Sequence, residues 1–369
     1  MKVLMLSTDT GILVKGSEVE KRMLDYGSLV GELHIIVKSQ KPKVKSQRLD
    51  NVFIYPTNDR FNFLYFFNAY KIGQEVIKSS SHEITQLLIT SQDPFETGLV
   101  GYLLKRKFGV RLQIQIHTDF LSPYFRQESL KNKVRVILGK WLVERADGIR
   151  VVSERIRLSL SSKLQILSSK IFVLPIFVDT EKIKNAPIRT DLHKKYPNYN
   201  FIILMASRLT REKNIGLAIG AVKYLIPNYP NVLLLIVGDG PELKTLKLQV
   251  TRYGLQDNVV FESWTDDLVS YYKTADLFLL TSNYEGYGRT IVEATTVGLP
   301  VLMTDVGLTV GCKVPIGDKN ALIEGLNCLI DSKQKRVEIL ENQRESINLY
   351  NSKESYLNLI KQSWQNCFL

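Results

Sequence analysis

An alternation that runs through the chain twice constrains its fold more than any other feature. In the first pass the short apolar runs KVLMLS, ELHIIVKS, NVFIYP, QLLITS and RLQIQIH are interleaved with polar turns, and helical patterns lie at residues 19–29, in FLYFFNAYKIGQEVIKSS and in TGLVGYLLKRKFG. The second pass has the runs FIILMAS, NVLLLIVGDG, NVVFES, DLFLLTS and PVLMTD, separated by the helical patterns NIGLAIGAVKYLI, PELKTLKLQVTRYG, LVSYYKTA and TIVEATTVG. Strands joined through helices lie side by side in parallel and are covered on both faces, so each pass predicts a doubly wound α/β sheet. Residues 186–200 are polar, contain Pro187 and Pro197 and lack periodicity, which reads as a linker. The predicted organisation is a domain over residues 1–185, the linker 186–200, a second domain over 201–350 and a helical tail over 351–369. A length of 369 residues suits two such cores. Open α/β sheets bind ligands beyond the carboxyl ends of their strands, so the two sheets are expected to face each other across a central cleft.

Composition narrows the function classes. With 44% hydrophobic and 23% charged residues, the chain falls in the range of folded globular proteins. Its three cysteines, Cys312, Cys328 and Cys367, include no CxxC pair and suit a reducing compartment. The opening MKVLMLSTDTG is too broken by polar residues for a secretory leader, and apolar stretches such as VLLLIVG fall far short of the roughly 20 residues that cross a bilayer. A cytoplasmic location is therefore expected. Residues 1–180 carry 27 Lys and Arg against 17 Asp and Glu, a net +10 of the +12 on the whole chain. Such a basic half attracts anionic partners. Its lysines are scattered and no nucleic-acid module is present, so the expected partner is an anionic membrane surface, met peripherally from the cytoplasmic side, and not nucleic acid.

Four loops at strand ends carry candidate chemistry. In EGYGRTIVE, residues 285–293, Gly286 and Gly288 permit close backbone approach, and a helix starting near Arg289 turns its free amides and positive dipole end toward the loop. Glu285 in the loop and Glu293 one turn into the helix flank that anion site. A carboxylate that merely stabilises a helix dipole, with a solvated glutamate before it, is the plainer alternative. In ASRLTREKNIG, Arg208 and Lys213 stand where they can meet phosphate oxygens as a fork and a point charge, or remain solvated surface. VGDGPEL supplies Gly238 and Gly240, but Leu243 takes the third glycine position of a dinucleotide fingerprint. GILVKGSEVEKRM puts Gly11 and Gly16 ahead of a helix, either a phosphate or acceptor loop or an ordinary turn. His117 ends RLQIQIH and can donate to a sugar hydroxyl or to developing charge. His34, His82 and His193 form no spaced ligand set, and no metal is expected. The chain also lacks the acidic DxD pair that holds a divalent ion against a diphosphate, so side-chain cations and helix termini would have to neutralise a leaving group.

Taken together, SRLTREKN, IVGDGPEL, ADLFLLTSNYEGYGRTIVEATTVGLPVLMTD, LLITSQDPFETGLVGYLLKRKFGVRLQIQIHTDF and ADGIRVVSERIR resemble the retaining family 4 glycosyltransferases of the GT-B fold, which have two Rossmann-like domains. The resemblance covers most of the chain. It implies a hexosyltransferase that uses a UDP- or GDP-sugar donor, a glycan or lipid-linked acceptor and no metal or other cofactor, in cell-surface polysaccharide or glycolipid synthesis. It implies that Glu293 binds the donor ribose, and that Glu285 with the amides of Gly286, Tyr287 and Gly288 holds sugar and phosphate. It also implies that Arg208 and Lys213 neutralise the departing diphosphate, Gly16 approaches the phosphates, His117 touches the transferred sugar, and the tail crosses back to the first domain. Transfer with retention in this family has no settled protein nucleophile, and none is assigned. Two features depart from the family pattern: Gly16-Ser17 stands in place of paired glycines, and LTVGCKVPIGDKN after TDVG is short. A sugar-nucleotide epimerase of the same fold and a non-catalytic nucleotide- or glycan-binding protein are the alternatives.

Residues 129–145, SLKNKVRVILGKWLVER, read as a basic helix. Its Val, Ile, Leu and Trp141 are expected to pack on the sheet, leaving a basic face that can dock on an anionic membrane. The aromatic run FNFLYFF at 61–67 is expected to be buried helix more than an acceptor platform.

Overall fold

The structure is a computed structural model that describes residues 1–40, 44–61, 64–79, 85–308, 310–346 and 352–369. They form two compact units, Met1–Pro175 with Ser352–Leu369, and Ile176–Asn351.

In the first unit eight strands form one sheet. They are β1 (Lys2–Ser7), β2 (Glu32–Val37), β3 (Gln47–Leu49), β4 (Val52–Pro56), β5 (Leu87–Ser91), β6 (Arg111–Ile116), β7 (Gly148–Val151) and β8 (Ile171–Val173), in the order β3-β4-β2-β1-β5-β6-β7-β8. All pairs are parallel except β3 with β4. The strands β1, β2 and β5 bury nearly every side chain, as a sheet covered on both faces requires. The tail residues form the helix Lys353–Gln365, capped by the Ser352 hydroxyl, which accepts from the Ser355 amide. Tyr356, Ile360 and Trp364 are buried on this unit, and Trp364 meets Tyr26 edge-on at 6.0 Å between centroids. The fit is close enough that a Cβ on Gly148 would lie 2.5 Å from the Cys367 sulfur. Lys353 adds an ion pair to Asp25 at 2.7 Å.

The second unit is a six-stranded, wholly parallel sheet. Its strands are β9 (Phe201–Ala206), β10 (Val232–Val237), β11 (Val259–Glu262), β12 (Leu277–Leu280), β13 (Val301–Thr304) and β14 (Cys312–Val314), ordered β11-β10-β9-β12-β13-β14. Counted within the unit, the order is 3-2-1-4-5-6, which reverses direction at the β9–β12 neighbours. FIILMA, VLLLIV, LFLL and VLMT are buried throughout, consistent with helices packed on each face. Each fully buried Leu or Ile there contributes about 1.5–3 kcal/mol.

Two boundaries move relative to the sequence reading. The division falls after Pro175, and residues 186–200 belong to the second unit instead of linking two bodies. Leu192 in the short helix Leu192–Lys195 is fully buried. The Arg189 amide donates to the Ser270 hydroxyl at 2.8 Å, the Thr190 hydroxyl donates to Asp267 at 2.8 Å, and His193 pairs with Asp276 at 3.1 Å. The segment looks like a linker because its partners are polar side chains, which leave no periodic signature.

The helix Leu130–Val143 also differs from expectation. It turns Asn132, Val136, Gly139, Leu142 and Val143 inward. Leu130, Val134 and Ile137 are 64–78% exposed and Trp141 is 38% exposed, so only Val136, Leu142 and Val143 of the apolar residues expected in the core are buried there and a second apolar stripe faces solvent. Of the run at 61–67, Asn62 and Phe63 lie outside the described residues, Tyr65 is buried, and Phe61 and Phe67 are exposed. His82 also lies outside them.

Candidate active site

The point where the second sheet reverses direction sets two loops beside each other. After β9 the chain runs through Arg208 to the single turn Arg211–Lys213, and after β12 it enters Thr281–Gly288. Side chains stitch the loops together. The Thr281 hydroxyl donates to the carbonyls of Lys213 and Asn214 (both 3.0 Å), Asn214 Nδ2 donates to Asn283 Oδ1 at 3.0 Å, and the Asn283 amide donates to the Glu212 carbonyl at 2.7 Å. From below, the Thr304 hydroxyl at the end of β13 donates to the Ser282 carbonyl at 2.6 Å. On this frame Lys213 Nζ donates to Glu285 Oε1 at 2.5 Å, and the Ser282 hydroxyl donates to the same oxygen at 2.7 Å. The two charged side chains are 16% and 13% exposed. The ammonium has further N–H donors and the carboxylate a second oxygen, so the pair can meet an anion and a hydroxyl side by side.

Glu293 lies in the helix Arg289–Thr296, which begins after Gly288. Gly288 has φ +92, a backbone shape that a side chain rarely adopts, and a Cβ there would come within 2.6 Å of Ile291. Glu293 accepts from Arg289 Nε at 2.8 Å and from the Tyr272 hydroxyl at 3.1 Å, one on each oxygen. Burial, and after it the Glu293 charge, hold the Tyr272 hydroxyl far above its ordinary pKa, so it stays a donor. Arg289 is exposed and its pairing is weak, whereas Tyr272 is a fixed anchor for the carboxylate. Gly286 and Tyr287 are buried, and the Tyr287 carbonyl accepts from the Leu308 amide at 3.1 Å. A Cβ on Gly307 would lie 2.9 Å from that carbonyl and 3.0 Å from Glu285 Cβ, so the segment after β13 leans on the loop.

The remaining candidates are placed differently. Arg208 is 78% exposed and pairs with Glu212 at 3.5 Å. Gly238 and Gly240 let the loop after β10 press on the loop after β9. A Cβ on Gly238 would be 1.9 Å from the Ser207 oxygen and one on Gly240 2.4 Å from the Leu209 oxygen. Two backbone bonds lock that contact, Leu209 to Asp239 at 2.9 Å and Glu242 to Leu209 at 3.0 Å.

Gly16 and His117 belong to the first unit. The Gly16 amide donates to Glu20 Oε2 at 2.6 Å, and the Ser17 hydroxyl caps the helix Glu18–Gly27 by accepting from the Glu20 amide at 3.1 Å. An anion at this loop would therefore compete with Glu20. His117 follows β6 with its Nε2 3.0 Å from Gln115 Oε1. Desolvation first, then the Arg150 and Arg22 charges, hold its imidazole below the ordinary pKa; the ring is exposed, and water moderates the first effect. Among the described residues no group of three or more His, Cys, Asp or Glu side chains is arranged to hold a metal ion.

Sequence reasoning did not single out Thr281, Ser282, Tyr272 or Gly307. Thr281 and Ser282 had a nearby signal, their place at the end of the strand run DLFLLTS just before EGYG. The anchoring role of Tyr272 arises across 21 residues and has no local mark.

Residues 189–346 match the family described as Glycosyl transferases group 1, and residues 32–182 match Glycosyltransferase Family 4. The chain is 26% identical to an uncharacterized glycosyltransferase of Methanocaldococcus jannaschii, with 100% of this chain and 96% of that protein covered. It is 30% identical over 57% of its length to the UDP-Gal:alpha-D-GlcNAc-diphosphoundecaprenol alpha-1,3-galactosyltransferase of Escherichia coli, of which 56% is covered. With several curated relatives the match spans only 51–64% of their own length. Among solved structures, Anabaena HepE in complex with UDP has a TM-score of 0.71 at 21% identity, with 98% of each chain covered. Sucrose-phosphate synthase from Thermosynechococcus elongatus has a TM-score of 0.76 at 20% identity, with 100% of this chain and 99% of that one covered. The two family matches together span most of the chain on a fold shared from end to end with these structures, and the chain belongs to the family 4 glycosyltransferases of the GT-B fold.

Proposed function

We propose that this protein transfers a hexose from a UDP- or GDP-sugar to a glycan or lipid-linked acceptor, with retention of configuration and without a metal ion. The observation that carries the reading is the Lys213–Glu285 contact at 2.5 Å, set where the second sheet reverses direction. Sugar nucleotides present a diphosphate next to hydroxyls, and this pair presents a cation next to a carboxylate. In this reading Lys213, with Arg208 swung in from the surface, neutralises the departing diphosphate as charge develops on it. Glu285 and the amides of Gly286, Tyr287 and Gly288 hold the sugar, and Glu293, fixed by Tyr272, takes the ribose hydroxyls. Gly238, Gly240 and Gly16 border the phosphates, and His117 meets the transferred sugar. The relatives support the donor and acceptor classes: one is named for galactosyl transfer to a diphosphoundecaprenol-linked sugar, another as an alpha-monoglucosyldiacylglycerol synthase, and HepE holds UDP and glucose.

The test is release of nucleoside diphosphate from a panel of UDP- and GDP-sugars, with and without glycan and lipid-linked acceptors. Acceptor-dependent release supports transfer. Conversion of UDP-GlcNAc alone to an epimer would identify an isomerase, and binding without turnover a non-catalytic protein.

The membrane partner is carried by a separate observation. Leu130, Val134, Ile137 and Trp141 recur at helical spacing, so the exposed stripe is continuous. Lys131 and Arg145 flank it on one side, Lys133 and Lys140 on the other, and Arg145 stacks on Trp141 at 4.4 Å. No described helix is long and apolar enough to cross a membrane. An apolar stripe edged by cations suits an anionic bilayer, in which the helix lies in the interface and each cation adds about 1 kcal/mol. Co-sedimentation with vesicles should require anionic lipid, weaken with salt and drop at least tenfold in Ile137→Glu. Binding to neutral vesicles alone, or no effect of that substitution, would remove this face from membrane docking. A cytoplasmic, peripheral location is part of the same proposal.

A further inference from the structure

Across β5, β6 and β7 the first sheet buries a strip of polar side chains under the C-terminal helix. Alternation along β6 puts Gln113, Gln115 and, just past the strand, His117 on one face. Thr90 on β5 is in register with Gln113, and Arg150 on β7 with Gln115. Thr90, Gln113, Gln115, Arg150, Tyr356 and Ser363 are all buried.

The hydrogen bonds along this strip can run in only one direction. Guanidinium groups only donate and backbone carbonyls only accept. At one end Arg150 Nη1 donates to Gln115 Oε1 at 3.2 Å, while Nη2 donates to the Tyr356 hydroxyl at 3.0 Å. At the other end Gln113 Nε2 donates to the Ser363 carbonyl at 2.7 Å. Between them Gln115 Nε2 donates to Thr90 Oγ1 at 2.9 Å, and Thr90 Oγ1 donates to Gln113 Oε1 at 3.1 Å. Turning Gln115 over would set two donors against each other at the Arg150 end, and turning Gln113 over would set two acceptors against each other at the Ser363 end. Gln115 must therefore present its oxygen toward His117, and His117 Nε2, 3.0 Å away, must carry the proton. Nδ1 is left as the acceptor nitrogen.

The geometry points to Arg150 as a positioning residue, which through Gln115 fixes His117 as the Nε2–H tautomer and so presents Nδ1 to accept a hydrogen bond from a ligand hydroxyl. The anchors at both ends of the strip, Tyr356 and Ser363, belong to the C-terminal helix, so the tail sets the proton position of a residue far from it in sequence. Arg150 fits this role better than an ordinary structural one. Its described partners are neutral, its Nε is buried without a partner, and a buried guanidinium without a carboxylate is costly for stability alone.

The consequence for catalysis rests on the proposed contact of His117 with the transferred sugar; the tautomer does not. The experiment is nitrogen NMR of the full-length protein labelled at its histidines, with the His117 signals assigned by loss in His117→Gln. In the wild-type protein the protonated nitrogen of His117 should be Nε2, and a protonated Nδ1 would overturn the proposal without recourse to any variant. Arg150→Met should mix the two tautomers and lower sugar transfer about tenfold, and Arg150→Lys, which keeps a donor at that end, should preserve the wild-type spectrum. A folded Arg150→Met with unchanged nitrogen signals also overturns it. If the spectra behave as expected while His117→Gln transfers sugar at the wild-type rate, the relay stands and the assignment of His117 to the sugar fails.

Discussion

Replacing Lys213 with Met tests the centre of the site and its stability together. The substitution removes an ammonium 2.5 Å from Glu285 and leaves the carboxylate, 13% exposed, with the Ser282 hydroxyl at 2.7 Å. A hydrogen bond to a charged group contributes about 1.5–3 kcal/mol, and stranding a fully buried charge costs about 3–5 kcal/mol. Residual exposure lets water offset part of this, which gives a loss of about 2 kcal/mol. For a unit of this size that lowers the melting temperature by about 4–8 °C. Glu285→Gln keeps the shape and the Ser282 contact and should cost about 1 kcal/mol. The double variant should lose less than the sum, with a coupling of about 1–2 kcal/mol in a urea-unfolding cycle. Each single variant should also lower sugar transfer at least tenfold, about 1.4 kcal/mol of transition-state stabilisation. Additive stability losses would show that the two side chains do not act as a pair. Wild-type transfer by folded variants would remove them from the site.

Other outcomes follow from the same structure. Gly238→Ala places a Cβ 1.9 Å from the Ser207 oxygen at φ +146, so it should cost about 3 kcal/mol or more, read by calorimetry as an earlier transition. Transfer should persist in excess EDTA, because side chains instead of a metal face the diphosphate in this reading; activity lost to EDTA and restored by magnesium would contradict it. Burial pushes the Glu262 carboxyl up, but Lys195, Tyr196 and Tyr271 outweigh it and hold the group below the ordinary glutamate range. Its folded pKa is depressed, so its contribution is complete above the unfolded value of about 4.3 and is lost as pH falls through the lower folded value. Glu262→Gln should therefore flatten the acid side of the stability curve, and an unchanged curve would refute this.

The sequence made the two sheets legible because strands buried on both faces read as unbroken apolar runs, such as FIILMA and VLLLIV. Strands β3, β7, β8 and β14 were not read. GIRV is interrupted by Arg150, and QRL, IFV and CKV are three residues long. Periodicity located the helix Leu130–Val143 but did not separate its two apolar stripes, because the buried one mixes Val136, Leu142 and Val143 with Asn132 and Gly139 while Leu130, Val134 and Ile137 form the exposed one. Within the site, the pairing of Arg289 with Glu293 follows from i,i+4 spacing. Lys213 meets Glu285 across 72 residues, through strand order that no local pattern displays. The glycines of VGDG illustrate the same limit, since the close loop contact they allow is visible only once β9 and β10 are side by side.

The most direct test is the rate at which the intact protein releases UDP or GDP from a panel of sugar nucleotides in the presence of acceptors. At least one donor should be turned over, and the rate should fall tenfold or more in both Lys213→Ala and Glu285→Ala. A folded protein that turns over none of them, or turnover indifferent to both substitutions, would contradict the proposed function.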